Sequence, residues 1–180
     1  MLLITGFRNI RITDVNKFMA SIREACEVFE DVDVQFFDAD LVATWRHLYF
    51  AALNAVMAFE TKRNISKSLA VETLLYASGK RQIKKALEII GVKAGCTNIA
   101  GIIIGKKEQV VTAAFLVLSN EFGVSSDESV LEISKNKILK IRQSFDISTK
   151  ELKATSLKSN PESALVDLVV ERVALLSTKI

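Results

Sequence analysis

The sequence is short of the residues that interrupt a chain or bind a metal. Among its 180 residues are one proline and seven glycines. An all-β sandwich needs a turn residue every few positions and a disordered linker is rich in both types, so neither class fits. Two cysteines, Cys26 and Cys96, lie far apart without a C-x-x-C partner, and His47 is the only histidine. A Cys/His zinc site is thereby nearly excluded, and no cofactor is expected. Two reduced, buried thiols point to a reducing compartment and predict a cytoplasmic protein. The start, Met1-Leu2-Leu3-Ile4, is too short for a secretory signal core and lacks a basic lead. The most apolar run, Ile99 to Gly105, falls well short of the roughly 20 residues of a membrane span. No membrane partner is expected.

What the chain does hold is core material, with 49% hydrophobic residues. One domain over residues 1–180 fits that length, and it would bury roughly 70% of the surface of its unfolded chain. Met1 to Phe7 reads as a strand ended at Gly6, and Thr13 or Asp14 as the cap of a helix with an apolar face of Val15, Phe18, Met19, Ile22, Cys26 and Phe29. Val32 to Phe37 reads as a half-buried strand. Asp40 opens the longest helix, to about Thr61, with a stripe of Trp45, Leu48, Tyr49, Ala52, Leu53, Val56 and Phe59. That helix is apolar nearly all round, which predicts a central position or, failing that, a face docked on a partner. Ser66 or Ser68 caps a shorter helix stopped at Gly79. Arg81 to Ile90 follows, its apolar face Ile83, Ala86, Leu87 and Ile90. Asn98 to Ile104 is a buried strand, Glu108 to Phe122 a helix stopped by Gly123, and Ser126 to Ser156 a run of short helices. Asn160-Pro161-Glu162 starts the last helix. The expected fold class is α+β: a helix-rich single domain with a small mixed sheet packed by helices.

Catalytic signatures are scarce. Gly101 to Lys107 has one residue too few between its glycines for a phosphate loop, and Lys where a Ser or Thr must reach magnesium. His47 sits inside the long apolar helix, where a structural imidazole is expected rather than a general base. No nucleophile elbow, kinase loop or H-E-x-x-H occurs.

Charge is segregated. Glu24 to Asp40 holds seven acids and no base, a solvated or partner-facing patch; Lys62 to Lys85 holds seven bases and one acid, Glu72. The bases gather in the turns at helix ends, with Lys62, Arg63 and Asn64 in one and Lys80, Arg81 and Gln82 in the next, followed by Lys84 and Lys85. Such turns contact phosphates through charge and free backbone N–H groups. Tyr76 offers a stacking face beside them.

Across Ala58 to Gly95 the motifs also resemble a known family. They are Lys62-Arg63-Asn64, Glu72-Thr73-Leu74-Leu75-Tyr76, Ser78-Gly79-Lys80-Arg81-Gln82-Ile83, and Ala86-Leu87 through Gly91-Val92. With the final Glu171 to Leu176, they are similar to the small kinase-binding, TPRKB-like subunit of the KEOPS complex, in its archaeal form. The resemblance implies a non-catalytic partner of the atypical kinase/ATPase subunit of that complex. It also implies support for threonylcarbamoylation of tRNA and recruitment of tRNA by its 3′ CCA end. The tRNA-binding residues expected on this reading are Lys62, Arg63, Asn64, Lys80, Arg81, Gln82 and Lys84. Two rivals stay open. One is a stand-alone enzyme clamping an anionic substrate, with Glu72 and Tyr76 as its titratable groups. The other is a kinase scaffold that never touches RNA.

Overall fold

The structure, a computed structural model, describes residues 1–157 and 160–178. Its elements are β1 (Leu2–Arg8), α1 (Val15–Cys26), β2 (Val32–Asp38), α2 (Trp45–Glu60), α3 (Leu69–Ser78), α4 (Ile83–Ile90), β3 (Asn98–Gly105), α5 (Glu108–Phe122), α6 (Lys135–Ser144), α7 (Thr149–Ser156) and α8 (Pro161–Ala174). Short 3₁₀ turns occupy Ala39–Leu41, Glu128–Leu131 and Leu175–Thr178. The helix-rich α+β class is as expected from the sequence.

The sheet is antiparallel throughout, in the order β1-β3-β2, rather than mixed. β1 and β2 run the same way, but β3 inserts between them, so no parallel pair forms. Ile103 faces Leu3 on one side and Val34 on the other, which fixes the register at the centre of the sheet. Gly101 sits where an added Cβ would lie 2.7 Å from Cε1 of Phe36. Glycine therefore lets that ring cross the middle strand.

Each face of β3 carries its own core. On one side α1 and α5 cover Phe7, Phe36, Ile99 and Ile103. Phe7, Phe18, Phe36 and Phe122 interlock there, with the Phe7–Phe122 centroids 4.9 Å apart, edge to face. On the other side α2 and α3 pack toward Phe37, Ala100 and Ile102, with α8 behind them in the same core.

Several starts differ from the sequence reading for local reasons. Asp38 accepts a hydrogen bond from the Asp40 N–H, which bends Ala39–Leu41 into a 3₁₀ turn. Val42 is extended, Thr44 is the N-cap, and α2 begins only at Trp45. Likewise α4 begins at Ile83, not Arg81, because Gln82 holds an extended N-cap conformation. Only Ala86 and Ile90 of the expected α4 face are buried; Ile83 and Leu87 are exposed. Four acids of the expected surface patch also bond within the protein, Asp31 while still exposed and Asp40 while partly so. Asp31 pairs with Lys106, Asp33 caps the Ala70 N–H, Asp38 takes the Asp40 N–H, and Asp40 pairs with Lys140.

His47 is structural. Its Nδ1 accepts from the Ala43 N–H at 3.3 Å, so the proton sits on Nε2, which donates to the Ala77 carbonyl at 2.7 Å. Complete burial, helped by the charge of Lys137, holds its pKa down at about 4, although the Ala77 carbonyl pulls the other way. In the unfolded chain the imidazole titrates near 6.5. Above that pH both states are neutral. As pH falls from about 6.5 to about 4, the unfolded state takes a proton that the fold refuses, and on the order of 3 kcal/mol of stability is lost. Denaturant melts of wild type and His47→Gln across that window check this: the variant lacks the histidine-dependent share of the slope.

Candidate nucleic-acid interface

The two basic turns are built on one plan. At the end of α2 the Arg63 N–H donates to the Ala58 carbonyl at 2.8 Å and the Lys62 N–H to Phe59 at 3.1 Å. At the end of α3 the Lys80 N–H donates to Leu75 at 3.2 Å and the Gly79 N–H to Tyr76 at 3.0 Å. Both are Schellman closures, which need a left-handed residue just past the helix. Gly79 fills that place at φ 64° in the second turn; in the first it is Lys62, at φ 56°. A side chain there costs roughly 1 kcal/mol or more that glycine would avoid. A lysine in this conformation, which Asn9, Asp31 and Asp146 also adopt, is local strain of the kind that occurs at functional sites.

Arg63 comes from the first turn and Arg81 from the second. They line a single cleft of about 340 Å³, closed by Met57, Tyr76 and the Leu176–Thr178 segment of the last 3₁₀ turn. Both arginines are exposed. The other residues expected from sequence spread around the cleft without lining it. Lys62, Gln82 and Lys84 are exposed on the same turns. Asn64 turns inward to donate to the Ser66 carbonyl at 2.9 Å. Lys80 lies 3.7 Å from the Asp146 carboxylate.

Tyr76 does not offer a stacking face. Only 5% of it is exposed, so it forms a wall of the cleft rather than a platform. Its hydroxyl is pushed up from the usual phenol range, first by burial and then by the Glu72 carboxylate, against the pull of Arg81. Glu72 is fully buried. Its Oε2 accepts from the Ile65 N–H at 2.9 Å and the Ser66 N–H at 2.6 Å, and Oε1 from Ile65 at 3.1 Å. A carboxylate committed in this way has no exposed edge with which to meet a substrate. The closure of the cleft by Leu176–Thr178 is invisible in sequence, since nothing local ties the last turn to Arg63.

The second surface feature is the outer face of α2. The helix is not central. Its buried side is narrow, formed by His47, Leu48 and four alanines (Ala51, Ala52, Ala55, Ala58). Small side chains let α3 and α8 approach closely, so the large residues are left outside. Trp45, Tyr49, Leu53 and Met57 recur every fourth position, 55%, 40%, 40% and 54% exposed. Beside this stripe runs an apolar groove of about 650 Å³ lined by Leu2, Tyr49, Leu53, Val56, Leu69 and Ile104. An exposed apolar run of this length on a helix marks an interaction face. Met57 belongs both to the stripe and to the arginine cleft. Among the described residues no helix is long and apolar enough to cross a membrane.

Comparison with known proteins agrees on one lineage. The Regulatory protein Cgi121 of Methanocaldococcus jannaschii is 31% identical over 179 residues, 99% of each chain. The KEOPS complex subunit Cgi121 of Pyrococcus abyssi is 32% identical over 93 residues, 51% of each chain. The family model described as "Kinase binding protein CGI-121" matches residues 7–177. A match over nearly the whole length, α1 to α8 included, places this chain in the CGI-121 family of kinase binding proteins.

Proposed function

We propose that the chain is a non-catalytic adaptor subunit of a cytoplasmic KEOPS-type assembly, acting as one domain over residues 1–180. It holds the kinase/ATPase subunit on the apolar face of α2 and takes the 3′ CCA end of tRNA in the cleft between Arg63 and Arg81. Lys62, Lys80, Gln82 and Lys84 supply further contacts along the RNA backbone, while Asn64 holds the turn that carries Lys62 and Arg63. In this way it supports formation of threonylcarbamoyladenosine by another subunit.

The observation that carries the reading is the convergence of Arg63 and Arg81, from two separate turns, on one cleft. Guanidinium groups pair with phosphate oxygens two bonds at a time, which suits a flexible single strand better than a lysine point charge does. The stripe on α2 suits the kinase, since protein interfaces are anchored by aromatic and large apolar side chains. Against the rival enzyme, its candidate groups Glu72 and Tyr76 are both buried.

The test is binding of the purified chain to whole tRNA and to tRNA lacking its CCA end, at two salt concentrations. The expected result is tight binding to whole tRNA only, weakening with salt by about 0.7 in log affinity per log salt for each single-strand phosphate contacted. Equal binding to both RNAs would remove the CCA end from the account. No binding to either would leave a kinase scaffold alone.

A further inference from the structure

The geometry points to Glu72 as the positioning residue of the RNA cleft, a buried anion that holds the first basic turn in shape. This rests on the RNA reading above.

The first turn is exposed at Lys62 and Arg63, yet its backbone is tied at three points. The Schellman bonds anchor it to the end of α2. The Asn64 side chain spans it to the Ser66 carbonyl. Glu72 reaches from the first turn of α3 and gathers the Ile65 and Ser66 N–H groups. Glu72 is 0% exposed, and a buried carboxylate is costly unless its oxygens are satisfied. An apolar residue at this position would be an easier solution for the core alone. What the carboxylate adds is a fixed path for the chain between Arg63 and α3.

That path matters because Arg63 must point into a cleft whose other arginine comes from elsewhere. Arg81 is set by α3 through the Gly79 turn, and Arg63 by α2 through Lys62. Glu72 stands on α3 but holds the segment just after Arg63, so it couples the two turns across the cleft. A binding group already held in place loses less freedom when the ligand arrives. Glutamine offers one acceptor oxygen where the carboxylate offers two, and it turns an amide N–H₂ toward a backbone donor. Glu72→Gln therefore slackens the turn without changing its length or removing either arginine.

The experiment measures three things on Glu72→Gln, well below its melting temperature. Amide exchange at Ile65 and Ser66 is expected to speed up by about tenfold or more, with the rest of α3 little changed. Affinity for whole tRNA is expected to fall about tenfold, with a shallower salt slope. In an Arg63→Ala background the same substitution is expected to cost almost nothing further, since Glu72 acts through Arg63. A purely structural glutamate would leave the affinity and slope of the folded variant unchanged, or would lower affinity equally in both backgrounds. Either result overturns the proposal.

If Glu72→Gln does not fold, one glycine inserted between Asn64 and Ile65 slackens the same anchor and leaves the carboxylate its partners. The same loss of affinity is expected, and wild-type affinity would overturn the proposal. A wild-type chain that binds no tRNA overturns the RNA reading and this role with it. The exchange rates separate that failure from one in which Glu72 does not hold the turn at all.

Discussion

Reversing both arginines of the cleft, Arg63→Glu with Arg81→Glu, is expected to lower affinity for tRNA by at least a factor of about a hundred. On the proposed reading each arginine would supply charge-assisted hydrogen bonds of about 1.5–3 kcal/mol, and each glutamate would repel the phosphate instead. Both side chains are exposed and stand on turns whose closures are backbone bonds. Arg81 also interacts within the protein, its charge acting on the Tyr76 hydroxyl, so a modest loss of stability is expected with the fold intact. Affinity for the kinase subunit should stay close to wild type. Fluorescence anisotropy titrations with labelled tRNA and a thermal melt read both halves. Wild-type RNA affinity in a folded double variant would separate the cleft from RNA binding altogether.

The converse loss is expected from the outer face of α2. Tyr49→Glu with Leu53→Glu places two charges at the centre of the apolar stripe, where a docked partner would strip them of water. Affinity for the kinase subunit should fall by about a hundredfold or more, as it does when central anchors of an interface are lost. Glutamate is a good helix former, so α2 itself should survive. Affinity for tRNA should change little, because neither residue lines the arginine cleft. The two double variants therefore make a crossed pair. Each is expected to lose one partner and keep the other.

How far the sequence could be read followed how local each signal was. The α5 helix was legible to the residue, because Glu108 opens it and Gly123 closes it in the left-handed region. The start of α8 was equally plain, since the Asn160 side chain accepts from the Ser163 N–H and Pro161 stands at the first turn. β3 was legible as a buried strand, although its place between β1 and β2 was not. The basic turns could be read from Lys62-Arg63-Asn64 and Lys80-Arg81-Gln82. That Arg63 and Arg81 share a cleft, while Lys80 lies near Asp146, depends on how α2 and α3 pack.

The largest misreading concerned α2. Its stripe of Trp45, Tyr49 and Leu53 has the period of a core face, and hydrophobicity alone puts large residues inside. The four alanines carried the opposite message. A run of small residues at Ala51, Ala52, Ala55 and Ala58 marks the side where other helices come close, and that side excludes a tryptophan. Glu72 stands in the sequence as a candidate titratable group for the rival enzyme alone, and only the folded chain places two backbone N–H groups against it.

The adaptor account stands or falls on whether one copy of the chain holds both partners together. The direct measurement is retention of tRNA on immobilised kinase subunit, with and without the chain. The account predicts little retention without it and strong retention with it, lost separately in the cleft variant and in the α2 variant. Retention that is equal without the chain, or tRNA that displaces the kinase from it, would contradict the account.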